Sequence, residues 1–159
     1  MSRLRDIVGS IAKTLRDSTF VKTTPVIKVV EQDSKSVVAE LQEASGRSQG
    51  CFILVGFQSA ATSNESPGPD LTECVFTCTV VEMPQVWRSR QSWVSCTEIA
   101  EACARILHHT SPKDSAGNDL ANGVLSLENM EESSDDSALM QTLSFNLPCV
   151  LDPTAPTRS

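Results

Sequence analysis

Apolar residues return at helical spacing in three stretches of this chain and at strand spacing between them. Leu4, Ile7, Val8, Ile11, Ala12 and Leu15 form the first stripe, with Arg3, Arg5, Asp6, Lys13 and Arg16 off it. This predicts an amphipathic helix, and its lack of bulky aromatic anchors favours packing on a sheet over lying on a membrane. The second stretch, 34–44, puts Val37, Val38, Leu41 and Ala44 on one face and ends near Gly46, a suitable residue for a helix C-terminus. In the third, Ser95 and Glu98 fit a capping box ahead of a stripe of Cys96, Ile99, Cys103, Ile106 and Leu107.

Strand patterns fill the intervals. Val26 to Val30 is a β-branched run preceded by Pro25. Gly50 to Phe57 is apolar at both parities, as a central strand covered on two faces would be. Thr72 to Glu82 alternates Cys74, Phe76, Cys78 and Val80 against Val75, Thr77, Thr79 and Val81, and so pairs with the preceding run. The Ser, Asn, Pro and Gly residues of 58–70 predict an exposed loop between these two arms. Val124 to Met130 and Leu139 to Leu147 predict a last hairpin around an acidic turn, Glu131 to Asp136. Pro148, Pro153 and Pro156 make 148–159 a tail beyond a single domain spanning 1–147. The class that follows is α+β.

Length and composition fit that single domain. With 159 residues and 40% apolar content there is material for one core and not for two, and five Phe, two Trp and no Tyr leave that core to Val, Ile, Leu and Cys. The net charge of −7 is unevenly spread. Residues 1–28 carry six bases against two acids, whereas 114–152 carry eight acids and no base. Such a balance repels phosphate, which argues against sequence-independent binding of nucleic acid by the main surface. The opposite charges either attract one another in neighbouring subunits or are simply solvated.

Six cysteines raise the question of metal or disulfide chemistry. Cys74 and Cys78 share strand parity with Phe76, and Cys96 and Cys103 share a helical face, so all four read as core thiols. No C-x-x-C occurs, and no signal-peptide pattern supports a disulfide framework, so a reducing cytoplasm is expected. Adjacent His108 and His109 project in different directions and suit a helix C-terminus in their positive form better than a metal pair. Glu131, Glu132, Asp135 and Asp136 lack the spacing and glycine of a calcium loop. No G-x-S-x-G and no glycine-rich phosphate cradle is found, and no apolar run approaches the roughly 20 residues of a membrane span. No catalytic, cofactor or metal residue is assigned. The connector from Gln85 to Trp93 stands out instead, because Trp87, Arg88, Arg90 and Trp93 combine the residue types enriched at interface centres. Coverage of a sheet edge by the two tryptophans is the alternative.

Taken in order, the basic N-terminal helix, the apolar strand ending Val55-Gly56-Phe57, the return strand ending Val80-Val81-Glu82-Met83-Pro84, the arginine-bearing connector, the helix Thr97 to His108 and the terminal hairpin resemble a known family. The pattern, over 1–147, is similar to the tail terminator or tail-completion proteins of long-tailed bacteriophages and prophages. The resemblance implies a curved mixed, mainly antiparallel sheet of about five strands flanked by two or three helices. It also implies a non-enzymatic virion protein that assembles as a hexameric ring, caps the tail tube and joins it to the head-side connector. The implied partners are further copies of itself, the tail tube protein, a head-side connector or neck protein and a sheath protein. DNA passes through such a ring without specific binding, no membrane is involved, and the protein resides in the virion tail or neck after assembly in the host cytoplasm. Candidate interface residues are Arg3 and Arg5, the loop residues Gln58, Ser63 and Asn64, the connector residues Trp87, Arg88, Arg90 and Trp93, and the acids Glu131, Glu132, Asp135 and Asp136. A head-completion or neck protein is the nearest rival. A cytosolic small-molecule enzyme or binding module using Cys74, Cys78 or the histidines is the rival of another class.

Overall fold

The computed structural model describes residues 3–23, 27–45, 50–62, 71–89, 93–135 and 137–150. Ten elements follow one another: α1 (Arg3–Asp17), α2 (Thr19–Thr23), β1 (Lys28–Glu31), α3 (Val37–Ser45), β2 (Cys51–Thr62), β3 (Leu71–Glu82), α4 (Pro84–Trp87), α5 (Cys96–Leu107), β4 (Ser126–Ser134) and β5 (Leu139–Val150). The strands form one open sheet in the order β1-β2-β3-β5-β4, with β1 parallel to β2 and the other neighbours antiparallel. The fold is α+β with a mixed, mainly antiparallel sheet, and short α2 and α4 bring the helices to five rather than two or three.

Strand parity decides where the core sits. Ile53, Val55, Cys74, Phe76, Cys78, Val80, Leu143, Phe145 and Leu147 project from one face, where the stripes of α1 and α5 bury them. Each Leu, Ile or Phe so enclosed contributes roughly 1.5–3 kcal/mol. On the other face α3 covers one end, through a smaller cluster of Phe52, Val81 and Ala138 with Leu41, Leu54 and Met140 beside it. This is why Gly50 to Phe57 is apolar at both parities: β2 is internal to the sheet and faces a helix on each side. Farther along the second face the chain places Thr77, Thr79, Thr142 and Ser144, all half-buried, with the Thr79 and Thr142 hydroxyls 3.3 Å apart.

Three boundaries differ from the sequence reading. β2 continues to Thr62, so Gln58 sits on the strand and not in a loop. It occupies a bulge between Phe57 and Ser59, which breaks the parity of the run just where small Ser59, Ala60 and Ala61 remove the apolar signal. β4 continues to Ser134, so Glu131 and Glu132 are strand residues. The turn tightens around Asp135, whose Oδ1 accepts the backbone N–H groups of Ser137 and Ala138, both at 2.9 Å. β5 runs through Pro148 to Val150, three residues into the expected tail, while 151–159 lie outside the described residues. The Pro148 carbonyl accepts from the Asn122 N–H at 3.0 Å, on the side away from β3. A strand residue turns both main-chain groups to one side, so the N–H that Pro148 lacks was never needed for pairing with β3.

Candidate functional site

The connector after β3 divides between core and surface. Pro84 starts α4 at the position where its missing N–H is harmless, and the turn carries Trp87 inward. Trp87 is fully buried, and its indole N–H donates to the Val94 carbonyl at 2.7 Å. This corrects its expected place on the surface: an indole enters a core once its one polar atom has a partner. Arg88 and Trp93 do face outward, the guanidinium carbon lying 5.5 Å from the centre of the Trp93 ring, and Trp93 is 43% exposed. Arg88 is not a free surface charge, because its Nε donates to Oε1 of Glu82 at 3.0 Å. Glu82 is wholly buried, and its Oε2 has no partner among the described residues. Arg90 lies outside the described residues.

The two edges of the sheet are built differently. On the β1 side Arg16 donates from Nη2 to the Val29 carbonyl at 2.8 Å and from Nη1 to Glu31 at 3.1 Å, closing the short edge. β4 pairs only with β5, and Glu128, Glu131, Glu132 and Asp135 are all exposed along it and at its end. Register fixes which main-chain groups face out. The Leu127 N–H points away from β5 and is taken by Nδ1 of His108 at 3.1 Å. The alternation then turns the N–H and C=O of Met130, Glu132 and Ser134 outward as well. His108, the residue that ends α5, therefore also accepts a main-chain hydrogen bond from β4 at Nδ1. Asp136 lies outside the described residues.

The remaining candidates are scattered. Arg3 and Arg5 are exposed on the first turns of α1, and Arg3 donates to the Leu120 carbonyl at 3.3 Å. Gln58 is exposed at the β2 bulge, and Ser63 and Asn64 lie outside the described residues. A half-open groove of about 740 Å³ runs between the polar face of α1 and the segment after α5, lined among others by Arg5, Asp6, Ser10, Lys13 and Lys113. Several of its polar groups are already engaged: Lys13 pairs with Asp17 at 2.7 Å, Lys113 with Asp119 at 2.6 Å, and the Ser10 hydroxyl accepts the Lys113 N–H at 3.0 Å. Lys13 holds the Asp17 carboxyl below its usual range, and Lys113 does the same for Asp119.

The thiols belong to the core. All six cysteines are buried and free. Burial pushes Cys96 and Cys149 up to about 12, and a hydrogen bond to Cys103 together with burial raises Cys78 well above the usual thiol range. A buried thiol so shifted is a poor nucleophile, and Cys74 and Cys78 are both enclosed in the core. No group of three or more metal-capable side chains comes together among the described residues, and no helix among them is long and apolar enough to cross a membrane.

Two contributors were missed in the sequence. Glu82 shares parity with Cys78 and Val80, so its burial was available from the alternation, but an acid at a strand end reads as solvated. Arg16 lies off the helical stripe, and nothing local announces that it reaches β1.

No family model matches the chain, and no curated protein matches it. Solved structures share its fold. A chain of the virion of a native gene transfer agent particle is 12% identical, with a TM-score of 0.59 over 89% of this chain and 92% of that one. A second solved chain is 16% identical, with a TM-score of 0.53 over 92% of this chain and 96% of that one. At such identities the likeness is one of fold, and it runs nearly end to end.

Proposed function

We infer that this protein is a structural component of a phage-like virion, and within it a tail terminator: a ring of six copies that caps the tail tube and joins it to the head-side connector. The observation that carries the reading is the end-to-end correspondence of its fold with a chain of a gene transfer agent virion. The chain's own features support it. Its thiols are withdrawn into the core, and exposed acids line the β4 edge. A ring subunit needs two different complementary surfaces, and the sheet offers two unlike edges. The partners are other copies of the chain, the tube protein and a neck or connector protein, and the ring works in the virion without catalysis.

Native mass measurement of the purified chain, alone and with the tube protein, tests this across concentration and salt. A closed ring of six that binds tube ends is the expected result. A strict monomer under every condition, including beside the tube protein, overturns it.

A further inference from the structure

β4 has a neighbour on one side only, and its outer side runs between two stops. At the start His108 holds the Leu127 N–H, and at the finish the chain turns back at Asp135, whose carboxylate is spent on the Ser137 and Ala138 N–H groups. Between them the outward N–H and C=O groups belong to Met130, Glu132 and Ser134, a row that repeats about every 7 Å. An extended main chain presents its own donors and acceptors at that interval, and a helix does not. The side chains beside the row are acidic or small: Glu131 and Ser133 on one face of the sheet, Glu132 and Ser134 on the other, all four exposed.

The acids here are not used within the chain. Glu128, Glu131 and Glu132 make no hydrogen bond or ion pair with another described residue. α5 lies alongside, its Thr97 hydroxyl accepting at 3.4 Å from the amide of Gln141, the residue opposite Glu132. The exposed charges of α5 are Glu98, Glu101 and Arg105. Arg105 comes one turn before His108, so the single base sits toward the closed end of the edge. The open span is acidic on both of its faces.

We propose that residues 130–134 are a docking edge for an extended, lysine- or arginine-bearing segment of another protein, which joins the sheet as a sixth strand beyond β4. Main-chain hydrogen bonds to Met130, Glu132 and Ser134 hold the segment, and Glu131 and Glu132 select it. Because these two acids project from opposite faces, the segment answers them with bases at two successive positions, one over each face. The β4 strand of a second copy cannot be that segment, since acids would then stand among acids. Ring formation does not enter the proposal, so it can fail while the ring reading stands, and the reverse.

The probe is a short synthetic peptide of alternating threonine and valine with two adjacent lysines at its centre, added at low salt to the full chain and followed by amide NMR and hydrogen exchange. The N–H groups of Met130, Glu132 and Ser134 should gain protection, while those of Glu131 and Ser133, which already bond to β5, should not. A second peptide keeps both lysines but carries proline on either side of them, so it has the charge without the strand, and it should give no protection. Glu131→Gln with Glu132→Gln, its fold checked by circular dichroism, should weaken binding of the first peptide by about 5-fold. Absence of protection, equal protection by the proline peptide, or unchanged affinity in the glutamine variant would each overturn the proposal.

Discussion

At the β1 edge four residues pair with β2, and an arginine from α1 closes the outer side. At the β4 edge six of the nine strand residues lie exposed, with four acids along and beside them, and His108 takes the Leu127 N–H on the outer side. A sheet edge left open is a template for unwanted pairing, and proteins blunt it by covering it or by charging it. This molecule uses both methods, one on each side. Covering ties an edge to the stability of the fold, whereas charging leaves the edge nearly independent of it, and an edge of the second kind can meet a partner without unfolding anything.

The largest effects strike the core beneath both edges. Above pH 9, the ordinary value for a thiol, cysteines of the unfolded chain ionise, while Cys96 and Cys149 in the folded chain stay neutral until about pH 12. The unfolded state therefore binds fewer protons in that window, so stability should fall steadily from pH 9 to pH 12, as urea midpoints measured across it would show. Flat midpoints would mean that these thiols are not withdrawn from water. Trp87→Ala should lower stability by about 3–5 kcal/mol, because it removes a fully buried indole.

Next comes the connector. Arg88→Glu leaves buried Glu82 facing a like charge and should lower stability by about 3 kcal/mol, read from thermal melting. Arg16→Ala at the covered edge should remove about 1 kcal/mol and speed hydrogen exchange in β1 and β2. The smallest effect belongs to the open edge: Glu131→Lys with Glu132→Lys should leave the isolated subunit within about 0.5 kcal/mol of its native stability. If the β4 changes destabilise as much as Arg16→Ala, the distinction between the two edges fails.

The legible parts of the fold are those whose cause is local. The stripes of α1 and α5 and the alternation of β3 need only neighbouring residues to declare a face, and the Ser95 hydroxyl accepts the Glu98 N–H at 3.1 Å as the capping pattern predicts. The parts that stayed hidden depend on distant partners. Burial of Trp87 waits on the Val94 carbonyl, and Pro148 stays in a strand because Asn122 takes its outer side. Gln58 was misplaced because a bulge has no composition of its own. The acidic run was plain in the sequence, but its place on an open edge required the strand order β1-β2-β3-β5-β4, which no single segment encodes.

The connector also gives the protein a built-in optical reporter. There are two tryptophans and no tyrosine in the chain, one indole sealed in the core and the other 43% exposed beneath a guanidinium. Light absorbed at the red edge of the aromatic band is thus divided between a dry emitter and a wet one. Quenching by iodide addresses only the wet emitter, so whatever covers the connector announces itself as lost quenching, while loss of the fold shifts the dry emitter to longer wavelength. Docking and denaturation are separable in one cuvette without a dye.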